Sequence, residues 1–340
     1  MLKRHKSGFS IFGAKMVPYD KPYLSFDDQL ELLISRGMEV TDKATARDYL
    51  ERIGYYRLSG YWYPLRKFEQ YEDPQSKQTK WRRTDQFKPG SRFQDVVSLY
   101  VFDKNLRILL MDAIERLEVA VRVDIGYTLA VRDRFAQKNP SQLSRQFVNK
   151  VNPKTKETSY VTWLKKHDKL VADSREMFID HFKRKYSSPL PIWISIELWD
   201  FGMLSTFYKG MMVPDQQKVA RNFGVPDWQV MQSWLRTLNF ARNVVAHHSR
   251  LWNKNLVDQP RLPRPGEMPM LDHIIGNAKM ISRVYVVLCI LIHFLNEICP
   301  RSTWKKRVID HLHQFPNLPG LSLADMGFPP KWEELDIWKI

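Results

Sequence analysis

DKNLRILLMDAIERLEVAVRVDIGYTLAVRD, residues 103–133, decides the fold class. Leu106, Leu110, Ile114, Leu117 and Val121 recur at spacings of four, four, three and four, which is one apolar stripe on a long amphipathic helix. Glu115, Glu118 and Arg122 lie beside it. Upstream, SFDDQLELLISRG (25–37) carries an N-cap Ser25 and a Gly37 stop, and TDKATARDYLERIG (41–54) repeats the grammar with Thr41 or Asp42 and Gly54. YYRLSGYWYPLRKF (55–68) is dense in aromatics and reads as a turn or hairpin rather than a helix. Residues 69–90 read as an exposed basic loop.

Downstream, 135–160 is polar and basic without a period and reads as a loop or insertion. Helices are expected over 160–186 and 192–210, and Pro214 and Pro226 mark two more helix starts. An extended Pro-rich loop follows. DHIIGNAKMISRVYVVLCILIHFLNEIC (272–299) reads as one apolar helix, and two short helical pieces close the chain. Strand alternation is almost absent. The expected fold is mainly α, a helical bundle with an N-terminal helical module. The expected divisions are a basic leader at 1–20, the module at 21–90, a helical core at 91–300 and a helical extension at 301–340.

The chain has 340 residues, 44% of them hydrophobic, enough to bury a core and to exclude a wholly disordered protein. Fourteen Gly against 20 Pro and 11 Trp exclude collagen-like and low-complexity classes and argue against Gly-rich phosphate loops. Fifty-three Lys plus Arg against 37 Asp plus Glu leave a formal charge of +16. Such charge implies an anionic partner, and nucleic acid is the first choice. Cys289 and Cys299, ten residues apart on one expected helix, stand about 15 Å apart, too far for a disulfide. With no CxxC pair, this usage fits a reducing cytoplasm. The N-terminus lacks the apolar run of a signal peptide. The longest apolar stretch, 284–295, is too short to span a bilayer and reads as a core helix.

ARNVVAHHSRLWN (241–253) carries the chemistry. Histidine moves protons near neutral pH, and arginine hydrogen-bonds phosphate oxygens as charge builds on them. Arg242 and His247 therefore suffice for RNA cleavage without metal. Two other Arg–His pairs, Arg175 with His181 and Arg307 with His313, also fall within four to six intervening residues. The first is set apart by context: Asn243 lies four residues before His247 and can orient its imidazole, while His248, Arg250 and Trp252 crowd the same turn. Positions five apart on an ideal helix point about 140° apart. Either the helix distorts at His247 or a second copy completes the site, and the second arrangement, a homodimer, is favoured. The alternative is a helix C-terminus whose cations complement the dipole.

Other candidates each have two readings. Glu118 and Arg122 either support Arg242 or form an intrahelical ion pair. Tyr55, Tyr56, Arg57, Tyr61, Trp62 and Tyr63 either stack on unpaired bases or wedge the module against the bundle. Arg82 and Arg83 offer cations to a nucleic acid from the basic loop. Glu197 is either a partner for a buried Arg or part of an exposed helix face. His293, inside an apolar run, reads as a core histidine. No metal ligand set and no cofactor motif stand out.

ARNVVAHHSRLWN resembles the signature of HEPN ribonucleases, and specifically the Abi-like (AbiD/AbiF) abortive-infection family. FDDQLELLISRGMEV (26–40), YLERIGYYRLSGYWYPLR (49–66), FDKNLRILLMDAIERLEVAVR (102–122), PIWISIELWDFGMLSTFY (191–208) and MGFPPKW (326–332) agree in order. The resemblance covers most of 22–335 and implies an all-α HEPN core. It implies an antiphage, metal-independent endoribonuclease, usually dimeric, with Arg242 and His247 as the catalytic pair and Asn243 beside them. His248, Arg250, Trp252 and Asn253 match the signature without separate roles. The basic insertions at 69–90 and 135–160 depart from the family. RNA is the expected substrate, with a regulatory small RNA as a further partner. The rival readings are a non-catalytic module holding a structured regulatory RNA and a phage-sensing interaction protein.

Overall fold

Ser25 starts the first helix through a reciprocal pair of bonds. Its hydroxyl accepts the Asp28 amide at 3.2 Å, and the Asp28 carboxylate accepts the Ser25 amide at 3.2 Å. Asp42, rather than Thr41, caps the second helix by accepting the Thr45 amide at 3.0 Å. Gly54, at φ +91°, ends it. The structure, a computed structural model, describes Pro18 and residues 20–74, 76–187 and 189–340. Apart from Pro18 and Asp20, the leader expected at 1–20 lies outside the described residues.

The helices of the N-terminal module are α1 (Phe26–Ser35), α2 (Lys43–Ile53) and α3 (Tyr55–Trp62), followed by strands β1 (Arg66–Glu72) and β2 (Thr79–Phe87). Then come α4 (Phe93–Ala130), α5 (Arg145–Asn149), α6 (Ser159–Asp173), α7 (Met177–Lys185), α8 (Ile192–Ser195), α9 (Phe201–Gly210), α10 (Val213–Asn222) and α11 (Trp228–Ala246). Three more, α12 (Ala278–Ile281), α13 (Val284–Ile298) and α14 (Trp304–Leu312), precede short 3-10 turns at the C-terminus. The chain is predominantly α-helical, as its periodicity predicts.

Helix α4 organises the bundle. Its 38 residues span about 57 Å at 1.5 Å per residue. It packs against α3, α8, α9, α10, α11, α13 and α14. All five residues of the predicted stripe, Leu106 through Val121, are buried. One apolar core runs from Leu30 to Trp338. Helix α13 is its most apolar member, buried from Val284 to Leu295. Among the described residues no helix is long and apolar enough to cross a membrane.

Four local readings change. Residues 55–62 form the helix α3, because Leu58, Tyr61 and Trp62 bury one face of a short helix against α4. Residues 66–87 form an antiparallel hairpin pairing Phe68 with Arg83 and Gln70 with Trp81. It lacks an alternating apolar face; instead Arg83 lies over the Phe68 and Tyr63 rings, 4.1 and 5.1 Å from their centroids, and Arg82 over Tyr71 at 5.1 Å. The expected single helix 272–299 breaks at Gly276, at φ +81°, and again before Val284. Within the expected loop 135–160, α5 buries Phe147 against Gly210 of α9.

Candidate active site

Helix α11 begins where the Asp227 carboxylate accepts the Gln229 amide at 2.6 Å. Trp234, Leu235, Leu238 and Ala241 face the core, leaving Arg236, Asn239, Arg242 and Asn243 toward solvent. The helix stops at Ala246, so His247 is its C-cap rather than a helical residue, with φ −88° and ψ 12°. His248 follows at φ +54°. The Ser249 amide donates to the Val244 carbonyl at 2.9 Å and the His248 amide to Val245 at 3.0 Å. This two-bond closure usually places glycine where His248 stands. A side chain there costs conformational energy, and such positions persist where the surroundings hold them.

The surroundings do hold this turn, from the far side of the chain. Arg57 of α3 donates to the His248 carbonyl at 2.8 Å. Arg250 donates to the Gly60 carbonyl, and a Cβ at Gly60 would press on the Arg250 guanidinium at 3.3 Å. Beneath them lies Asp103 of α4, fully buried. Its carboxylate accepts the Trp252 amide at 2.7 Å, the Leu251 amide at 3.2 Å and the Tyr61 hydroxyl at 2.7 Å, and pairs with Arg107. Arg107 also donates to the Ser249 carbonyl at 3.4 Å. Burial pushes the Asp103 carboxyl up, while Arg107, Tyr61 and the two amides oppose it. Every neighbour is a donor, which matches the acceptor-only ionised carboxylate. Leu251 and Trp252 are buried, so the segment after the histidines is nailed into the core.

Above this clamp His247, His248 and Asn243 are exposed and Arg242 is half-buried. Arg242 Nη1 donates to Asn243 Oδ1 at 3.4 Å. Asn243 therefore pairs its amide with the guanidinium, and its link to His247 is through the backbone, the His247 amide donating to the Asn243 carbonyl at 3.0 Å. Arg242 makes no ion pair within 4 Å among the described residues, yet it stands in the field of two carboxylates, Glu118 and Asp200. Burial pushes the Glu118 carboxyl up, with Arg122 and Arg242 opposing. Burial also pushes Asp200 up, but Lys166, the Met203 amide and Arg242 more than offset it and hold the carboxyl below its ordinary value. Lys166 pairs with Asp200 at 2.6 Å. Arg122 pairs with Glu118, donates to the Trp199 carbonyl at 2.7 Å and stands 3.9 Å from Glu197.

The other expected contacts are scattered. Tyr56 is almost wholly exposed, next to Arg57 at the edge of the turn. Trp62 is a correction to the stacking reading: it is fully buried, edge-on to Tyr55 at 5.0 Å, and presents no face to solvent. Arg83 is pinned to the Tyr63, Pro64 and Arg66 carbonyls, and Arg82 pairs with Glu69 on the exposed hairpin. His293 is buried, with Nε2 2.9 Å from the Phe223 carbonyl. Among the described residues no group of three or more His, Cys, Asp or Glu is arranged to hold a metal ion.

Asp103, Arg107, Asp200 and Lys166 lie outside the set the sequence predicts, and Tyr61, a stacking candidate, is instead buried with its hydroxyl on Asp103. Asp103 and Arg107 left a signal: a charged pair at i, i+4 in phase with the buried leucines of α4, where burying either alone is costly.

The model of the family described as Abi-like protein matches residues 48–253, from within α2 to the residue after Trp252. No curated protein and no solved structure matches the chain. The matched span is more than half of the chain and ends with the clamped turn: the chain belongs to the Abi-like protein family.

Proposed function

We propose that this Abi-like protein is an abortive-infection endoribonuclease of the HEPN type, cleaving single-stranded RNA at the Arg242–His247 turn without a metal ion. The observation that carries the reading is the exposure of Asn243, His247 and His248 beside a half-buried Arg242, at a helix end whose glycine position holds a histidine and whose continuation is locked by a buried carboxylate. Strain held in place by a remote clamp is characteristic of functional turns. The +16 charge supplies attraction for a polyanion.

His247 takes the proton from a ribose 2′-hydroxyl. The 2′-oxygen forms a bond to the adjacent phosphorus as the bond from phosphorus to the 5′-oxygen breaks, and the leaving oxygen receives a proton. The products are a 2′,3′-cyclic phosphate and a 5′-hydroxyl. Arg242 hydrogen-bonds the equatorial oxygens as charge accumulates on them. Glu118 and Asp200 aim the guanidinium without neutralising it through a direct pair. Two copies related by a two-fold axis would supply one imidazole as base and one as acid, which answers the divergence of Arg242 and His247 along the helix. A duplex holds its 2′-hydroxyl out of line, so unpaired RNA is the substrate.

Purified protein incubated with single-stranded RNA in EDTA tests this. Cleavage with cyclic-phosphate ends is expected, lowered roughly 10²–10⁴-fold in His247→Ala. Loss of cleavage in EDTA, or full activity in His247→Ala, sinks the mechanism. Intact RNA bound equally well by wild type and Arg242→Ala would point to a holding module instead.

A further inference from the structure

Two adjoining cavities lie along the solvent-facing side of α11, on the flank occupied by α5, α6 and α9. The first has a volume of about 560 Å³ and the second about 480 Å³. They share a wall that includes Asn152, Ser159, Thr206 and Asn239, so they form one trough. Three cations, Lys150, Lys209 and Arg236, line the first cavity, and no carboxylate does. Lys150 and Lys209 make no ion pair or side-chain hydrogen bond among the described residues. Arg236 has a partial partner in Asp258 at 3.2 Å. The Gln232 and Asn239 amides are likewise uncommitted there. Two unpaired lysines, a partly paired arginine and two free amides thus share one concave site, and the Glu157 carboxylate that lines the second cavity is paired with Lys165.

The trough leads to the turn. Asn239 precedes Asn243 by four residues on the same face of α11, a rise of about 6 Å. Lys166 lines the second cavity and pairs with Asp200, whose carboxylate lies in the field of Arg242.

We infer that this trough is a subsite for single-stranded RNA: Lys150, Lys209 and Arg236 hold backbone phosphates of nucleotides next to the reacting linkage, and the Asn239 and Gln232 amides meet base edges. The inference rests on the nuclease reading for its orientation and names the substrate contacts of that same site. Volumes of this size accept one or two nucleotides but not a duplex, and the amides are donor and acceptor at once, as an unpaired base edge requires.

The test reads binding, not cleavage. Fluorescence anisotropy is measured with a labelled, fully 2′-O-methylated oligonucleotide about a dozen residues long, which cannot be cleaved by its own 2′-oxygen. Lys150→Gln with Lys209→Gln is expected to weaken binding roughly tenfold and to lower the slope of log affinity against log salt by about 1.4, the value for two phosphate contacts on a single strand. Asn239→Ala should weaken binding a few-fold and leave the slope alone. Lys279→Gln with Lys306→Gln, on the C-terminal helices, should change neither. An unchanged affinity and slope in the Lys150/Lys209 variant, an equal loss in the Lys279/Lys306 variant, or no affinity in wild type overturns the inference. Cleavage of unmodified RNA by wild type is scored separately. A binding loss without any cleavage keeps the trough and ends the nuclease reading; cleavage with an unaffected Lys150/Lys209 variant does the reverse.

Discussion

The Trp252 amide donates to the Asp103 carboxylate at 2.7 Å, joining residues 149 positions apart in the chain. Through this bond the first half of α4 holds the segment that follows the two histidines. The same carboxylate receives Tyr61 from α3, so module, central helix and turn meet at one buried charge. Breaking such a pair by removing one partner leaves an uncompensated charge, which costs about 3–5 kcal/mol.

Asp103→Ala is therefore expected to lower stability by about that amount, because Arg107 stays buried without its anion. Asp103→Leu combined with Arg107→Met should recover much of the loss, since a well-packed apolar pair avoids the desolvation of two ions. Denaturant midpoints of the single and double variants check this. The double variant should still lose RNA cleavage, because the Leu251 and Trp252 amides lose the acceptor that fixes the turn.

His248 separates stability from function. Its φ of +54° suits glycine, so His248→Gly should stabilise the fold by about 1 kcal/mol, and His248→Val should destabilise it by at least as much. Thermal midpoints report both signs. If the imidazole serves RNA, His248→Gly gains stability while its RNA affinity or turnover falls. A gain in both would assign His248 no part in the site.

Gly210 supports the trough indirectly. A Cβ there would intrude on the ring of Phe147, which is buried under α9. Gly210→Ala should cost about 1–3 kcal/mol by overpacking. Adding Phe147→Leu should restore part of it, a coupling that a double-mutant cycle measures directly.

His293 predicts a pH dependence. Burial pushes its imidazole below the ordinary value of 6.5, against the pull of the Phe223 carbonyl and Glu297. As pH falls through 6.5 the unfolded chain takes up this proton and the folded chain does not, so stability declines on acidification until the lower folded value is reached. His293→Gln should flatten the decline between pH 7 and pH 5 by up to about 1.4 kcal/mol per pH unit. Denaturant midpoints of wild type and variant at both ends of that range give the difference.

The hairpin and α3 depart from their local sequence signals for related reasons. Strands normally announce themselves by an apolar face, but 66–87 pairs Arg83 with Phe68 and Tyr63, and Arg82 with Tyr71, so neither face alternates. The aromatic density of 55–68 suggests a turn or hairpin, yet Tyr61 and Trp62 are core residues of a short helix packed on α4. Both cases depend on partners that the local sequence does not contain.

Caps, stops and the four-four-three-four stripe of α4 were determined by the sequence itself, because capping bonds and helical faces are made between residues three or four positions apart. The same is true of Arg242, Asn243 and His247 as neighbours at one helix end. Only the tertiary structure decided that this end stays open to solvent, that His248 occupies a glycine's conformation there, and that Asp103, Tyr61 and Arg57 hold it. The bonds from Asp103 and Arg57 to the turn span 149 and 191 positions and the one from Tyr61 to Asp103 spans 42, and a buried charge takes its donors from whatever packing brings within hydrogen-bond reach, not from what stands beside it in the chain.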